Sequence, residues 1–163
     1  MNYTPKDGFP YYFDLAKGND LNTLFSSSVN EALLNSISEE KSMNRYAPKK
    51  WSIKQIVGHI TDHERIKMFR AFQLSRSENV QLWGYDQNLL VANSRFEELT
   101  MRQLVNDFSR VRQSSISFVD TLSESQLKIK GWAGQYEITL NDFLISIIGH
   151  EIHHVNIIKD KYL

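Results

Sequence analysis

Through most of the chain apolar residues recur at steps of three and four, the spacing of helices that bury one face. Leu21, Leu24, Phe25, Val29, Ala32, Leu33 and Ile37 predict a first helix over about 20–40, with Asp20 as its N-cap. Ile53, Ile56, Val57 and Ile60 open a second helix that Ser52 caps and that runs to about Leu74. Leu104, Phe108, Val111, Ile116, Val119 and Leu122 predict a third, from a Thr100–Gln103 capping box to about Ser123. Thr139 caps a fourth, the strongly apolar run from Leu140 to Ile158. Alternation of period two is confined to a short piece from Tyr136 to Thr139, and Gly131-Trp132-Ala133-Gly134 reads as a turn. The pattern predicts an all-α fold, a four-helix bundle. Residues 75–99, which include Trp83, Tyr85 and Phe96, are too many for a tight turn and predict a crossover lying over the bundle.

Length and composition narrow the function classes. A chain of 163 residues has room for one domain, expected to span 1–163, and its core is large enough to stand without staples. Lys plus Arg and Asp plus Glu each number 19, and no basic run interleaves with aromatics, so nucleic acid is not an expected partner. Cysteine is absent, which excludes disulfides, thiolate-bound zinc and a thiol nucleophile carried by the protein itself. The first residues lack the apolar core of a signal peptide, and no apolar stretch approaches the roughly 20 residues that span a bilayer. The expectation is a cytoplasmic protein without a membrane partner. The aromatic cluster Tyr3, Phe9, Tyr11, Tyr12 and Phe13 must be covered, either by the bundle itself or by a second subunit in a homodimer.

All five histidines fall in two clusters, His59 with His63 on the second helix and His150, His153 and His154 on the fourth. Phe143, Ile147, His150, His154 and Ile157 form one inward stripe, which two histidines interrupt. A lone inward histidine is usually a hydrogen-bonded core residue, whereas a pair at i and i+4 can converge on one ion. A third imidazole from the second helix would complete three protein ligands with an open position, suited to Zn, Ni, Cu or Fe more than to Mg or Ca. Periodicity leaves both His59 and His63 available for that role. His153 aligns instead with Ser146, Gly149, Asn156 and Asp160, a polar line expected to meet solvent or a partner. Glu64 and Glu151 also lie near the centres of apolar stripes. Each must bond a histidine, an ion, or an Arg or Lys in a clasp between helices. His150-Glu151-Ile152-His153-His154 matches H-E-x-x-H, but Ile157 stands where a chain-bending glycine would lie, and no sheet is evident to hold a peptide. Glu151-x-x-His154 is half of a di-iron signature whose counterpart the second helix lacks.

The segments Arg45-Tyr46-Ala47-Pro48-Lys49-Lys50-Trp51-Ser52-Ile53-Lys54, Gly58-His59-Ile60-Thr61-Asp62-His63-Glu64-Arg65-Ile66 and Gly149-His150-Glu151-Ile152-His153-His154 resemble the DinB/YfiT-like superfamily. The likeness runs from about Tyr12 to the last helix. It implies an up-down-down-up four-helix bundle with a divalent metal, zinc or nickel, bound by His59, His150 and His154. His63 would then sit behind the ligands or in the substrate pocket. Members of this superfamily include S-transferases that use small thiols such as bacillithiol, and a chain without Cys needs an outside thiol. A bound Zn²⁺ lowers a thiol's pKa and supplies thiolate at neutral pH.

Three readings follow. The first is a metal-dependent transferase joining a low-molecular-weight thiol to an electrophilic small molecule. The second is a metal-dependent hydrolase in which Glu64 or Glu151 is the catalytic base. The third is a non-catalytic metal-binding module of a stress response.

Overall fold

The computed structural model describes residues 3–26, 29–77 and 80–163. A 3-10 turn at Pro5–Asp7 leads into α1 (Phe9–Ala16), where Pro10 falls in the first turn and removes an N–H that has no helical partner there. α2 (Leu21–Ser26) and α3 (Val29–Asn35) follow, where the spacing predicts one helix over 20–40. Residues 27 and 28 of that span and the side chain of Val29 lie outside the described residues. Asp20 does cap α2, accepting from the Thr23 N–H at 3.1 Å. The helix does not reach 40, because Ser36 turns its hydroxyl onto the Leu33 carbonyl at 2.7 Å and Ser38 caps a separate turn, α4 (Glu39–Ser42).

The next long helix, α5 (Ile53–Leu74), starts at a Ser52–Gln55 capping box and ends where expected. The crossover holds β1 (Val80–Leu82) and α6 (Gln87–Ala92), with residues 78 and 79 outside the described residues. α7 (Met101–Val119) begins at the Thr100–Gln103 box and stops short of Ser123, which instead caps the single turn α8 (Glu124–Leu127). β2 (Lys130–Ala133) and β3 (Tyr136–Thr139) precede α9 (Leu140–Lys161), which Thr139 caps.

A small sheet corrects the expectation of a turn at 131–134. Residues 131–133 lie in its middle strand, parallel to β1 and antiparallel to β3, and the two-residue turn is Gly134-Gln135, with Gly134 at φ 63°. Strands of three and four residues are too short to carry a periodic signal. Gly131 is required by packing: a Cβ there would lie 2.7 Å from Leu74 Cδ1 and 2.9 Å from the Val80 carbonyl oxygen.

Two apolar clusters fill the bundle. Leu21, Leu24 and Phe25, the end of α5 at Ala71 and Leu74, Val119 and the first half of α9 make one. Leu34, the start of α5 at Ile53–Ile60, the start of α7 at Met101–Phe108 and Ile158 make the other. α5 and α7 therefore run from the second cluster to the first, while the α2–α3 segment and α9 run from the first to the second. This is the up-down-down-up bundle, and two parallel neighbours require the long crossover between them. Between the clusters every long helix contributes buried polar side chains: His59, His63 and Glu64 from α5, Arg112 and Ser115 from α7, His150, Glu151 and His154 from α9. Among the described residues no helix is long and apolar enough to cross a membrane.

Candidate metal centre

His59 comes from α5, and His150 and His154 from successive turns of α9. All three are buried, and one ring nitrogen from each lies within 4.8 Å of the others. The Nε2 atoms of His59 and His150 are 3.1 Å apart. Ligand atoms about 2.1 Å from a tetrahedral zinc would be about 3.4 Å from one another, close to the His59–His150 separation. Burial favours the neutral imidazole that a metal needs. Desolvation, helped by the charge at His153, pushes His59 down to about 4. The same desolvation, reinforced by neighbouring imidazoles, holds His150 and His154 well below the ordinary 6.5. Residues and donor chemistry fit a divalent transition metal held by three histidines.

His63 is placed beside this triad. Its ring stacks on His150, with centroids 3.5 Å apart and planes within 10°, and its Nδ1 bonds the Tyr85 hydroxyl at 2.6 Å. Burial also holds His63 well below 6.5, with Lys67 adding to the shift. Burial raises the Tyr85 hydroxyl, against a weaker opposing pull from Arg70.

Glu64 and Glu151 meet one arginine. Arg112 donates from Nε to Glu64 Oε1 at 2.9 Å and from one terminal nitrogen to Glu64 Oε2 at 2.8 Å, and that nitrogen also reaches Glu151. Asn30 completes the cluster, donating to Glu151 Oε1 at 2.6 Å. Of the alternatives open for these carboxylates, the structure realises the clasp between helices. Burial works to lower the Arg112 pKa, but the hydrogen bond to Glu64 and the charges of Glu151 and Glu64 outweigh it and raise it. The sequence carries a signal for Arg112: Met101, Leu104, Val105, Phe108, Arg112, Ser115 and Val119 are the buried stripe of α7. The stripe passes through Arg112 rather than the neighbouring Val111.

Segments outside the long helices enclose the site. α1 packs along α9, so Phe9, Tyr11, Tyr12 and Phe13 are half-buried against their own chain, while Tyr3 stays exposed. The Tyr12 carbonyl oxygen lies so close to Gly149 that a Cβ there would be 1.8 Å away. The Tyr12 ring meets His150 edge-on at 5.0 Å, and the Tyr11 hydroxyl bonds His153 Nδ1 at 3.0 Å. The line through Ser146, Gly149 and His153 thus faces α1 rather than solvent, and only Asn156 and Asp160 of it are exposed. From the crossover, Phe96 lies against Gly58, where a Cβ would fall 2.4 Å from its ring. Trp51 covers the opposite side, its ring centroid 4.7 Å from His59 and 6.3 Å from His154. A cleft of about 210 Å³ bounded by Tyr46, Trp51, Asn88, Ile157 and Tyr162 reaches His154 and gives the centre an opening.

Sequence reasoning assigned no site role to Tyr85, Trp51 or Asn30. Each is brought in by a crossover, loop or short helix, where helical periodicity has nothing to report.

A comparison with curated proteins finds no match. Among solved structures the chain is similar to YfiT from Bacillus subtilis, described as a probable metal-dependent hydrolase with an unusual four-helix bundle topology. The TM-score is 0.72 over 98% of this chain and 89% of that one, at 15% sequence identity, a likeness of fold. The sequence pattern of the DinB superfamily matches residues 26–158, a stretch holding all three clustered histidines. The chain belongs to the DinB superfamily.

Proposed function

We propose that this chain is a metal-dependent enzyme in which His59, His150 and His154 hold one divalent transition ion, zinc or nickel. It transfers a low-molecular-weight thiol of the bacillithiol kind to an electrophilic small molecule. The observation that carries the reading is the convergence of three buried, neutral imidazoles beside a cleft that admits a small molecule. When bound, the ion supplies the Lewis acidity that favours thiolate over thiol near neutral pH. The absence of Cys from the chain agrees with a nucleophile that arrives from outside.

In this reading the thiol enters past Trp51 and Tyr46. The thiol gives up its proton to solvent at the mouth of the cleft, and the sulfur bonds to the electrophilic carbon as the leaving group departs with its electron pair, while His63, bonded to Tyr85, holds His150 from behind. Glu64 and Glu151 have their oxygens engaged by Arg112 and Asn30, and act here as positioning residues that fix α5, α7 and α9 around the centre. The description of the Bacillus subtilis structure favours a second reading, metal-assisted hydrolysis with water in place of the thiol.

Elemental analysis of protein purified without a His tag or chelating resin tests the ion, and one equivalent of zinc or nickel is expected. Conjugation of a halogenated nitrobenzene with bacillithiol, glutathione or cysteine tests the chemistry. Metal-loaded protein should exceed the uncatalysed thiol background, and His59→Ala, His150→Ala or His154→Ala should abolish the excess. Absence of any excess with all three thiols overturns the transferase reading, and ester cleavage without thiol would then support hydrolysis.

A further inference from the structure

Among the described residues, cations drawn out of solvent are of two kinds, Lys54 and Arg112 being buried and Lys67 and Arg70 half-buried. Lys54 and Arg112 are each paired with carboxylates, Lys54 with Glu39 and Arg112 with Glu64 and Glu151. Lys67 and Arg70, on successive turns of α5, have no carboxylate and no hydrogen-bond partner among the described residues, and Nη1 of Arg70 is buried without one. Each rests on a ring face instead: Lys67 Nζ lies 5.1 Å from the Phe143 centroid and Arg70 Cζ lies 5.6 Å from that of Tyr85. They also repel. Burial first, and then the charge of Arg70, push the Lys67 ammonium down to about 8. Two neighbouring cations partly withdrawn from water without a counter-charge carry a cost, and an incoming anion would relieve it.

The surroundings offer space for one. Lys67, though not Arg70, borders a cavity of about 720 Å³ between the N-terminal segment at Lys6, Asp7 and Gly8, the end of β1 and the loop after it at Trp83 and Gly84, and the β2–β3 turn at Gly134. The Asp7 carboxylate on its wall is taken up by the Thr4 N–H and hydroxyl at 2.7 and 2.8 Å. That volume accommodates a metabolite-sized molecule. The cavity adjoins the histidines, since Lys67 lies one turn beyond His63 on α5. Tyr85 makes the second link, with Arg70 over its ring and His63 on its hydroxyl.

We propose that Lys67, with the unpaired charge of Arg70 behind it on α5, forms a recognition site for an anionic group, carboxylate or phosphate, on a small molecule occupying this cavity, with Tyr85 and His63 connecting it to the three histidines. The proposal deepens the enzyme reading by giving its substrate a negative charge, and rests on that reading only for the identity of the molecule that carries the anion.

Calorimetric titration of the full chain with succinate and with inorganic phosphate tests it, the two probes separating a carboxylate site from a phosphate site. At least one should bind saturably. Lys67→Met should weaken that binding tenfold or more and Arg70→Met by a smaller factor, while prior stripping of the protein with chelator, which removes any ion at the histidines, leaves it unchanged. In the absence of anion, Lys67→Met should melt at or above the wild-type temperature, because an uncompensated charge has been removed. Failure of both anions to saturate, wild-type affinity in both methionine variants, or loss of anion binding after treatment with chelator overturns the proposal. Anion binding by a protein that shows no turnover removes the enzyme reading and leaves this site standing.

Discussion

The imidazole of His63 lies flat on that of His150, so one candidate ligand has its ring plane fixed by a histidine outside the triad. His63 in turn is anchored by Tyr85 from the crossover. Supporting groups of this kind typically change metal affinity by about 10–100-fold. His63→Ala should therefore still bind one zinc per chain at saturating metal, with affinity lower by about that factor in a competition with a chromophoric chelator. His59→Ala should lose stoichiometric binding altogether. Equal losses in the two variants would make His63 a ligand.

Acid should destabilise the metal-free protein. Burial holds His59 at about 4 and His63, His150 and His154 well below 6.5 in the folded chain, whereas the unfolded chain titrates near about 6.5. On acidification the unfolded state takes up protons that the folded state refuses. The stability is thus fully present above the unfolded value and is lost as pH falls through it toward the folded values. The slope is at most about 1.4 kcal/mol per pH unit for each imidazole. Urea unfolding at pH 7.5, 6.0 and 5.0 should show a falling free energy. A flat profile would mean that these rings already carry protons or reach solvent.

Metal should act on stability in the opposite sense. With zinc at about 1,000 times its dissociation constant, linkage predicts about 4 kcal/mol of added stability. The two apolar clusters on either side of the polar layer keep the metal-free chain folded. Thermal melts with chelator and with zinc should therefore show two cooperative transitions at different temperatures. The separation should vanish in His150→Ala.

Arg112 supports more than its own helix. Arg112→Ala would leave Glu64 and Glu151 buried without their shared donor, a loss of about 3–5 kcal/mol. Glu64→Gln keeps an acceptor for Arg112 and should lose less. Chemical denaturation of both variants reads the difference, and equal losses would show that Arg112 is held by something besides the carboxylates.

Gly149→Ala tests how α1 closes on α9. The added carbon would meet the backbone of Tyr12 rather than the end of a movable side chain, so α1 must shift, at a cost of about 1–3 kcal/mol. The midpoint of thermal unfolding should fall. Hydrogen exchange in α1 should rise while α5 and α7 stay protected.

What could be read from the sequence follows from how each element is stabilised. Ser52, Thr100 and Thr139 all cap as expected, because a cap is a contact within three residues and is written locally. The i, i+4 spacing of His150 and His154 fixes a shared face once the helix exists. The spacing left the partner from α5 open between His59 and His63, and only the superfamily resemblance named His59. The difference between them, a ring nitrogen aimed at the triad against a ring stacked behind it, depends on how α5 and α9 are set against each other. The pairing of β1 with β2 and the contact of Tyr11 with His153 rest on packing between distant segments, which no local period records, while the stop at Asn35 rests on local bonds of Ser36 and Ser38 that apolar spacing does not register.

The α1 segment lies before the stretch 26–158 that matches the superfamily, yet it presses on the glycine preceding His150 and places an aromatic ring against that histidine. A protein trimmed to the matched stretch would keep every ligand candidate and lose one wall of the chamber. One wall of the centre is thus written on a length of chain that carries none of its ligand candidates, and changes in that short leading helix would alter the wall without touching a residue of the central layer.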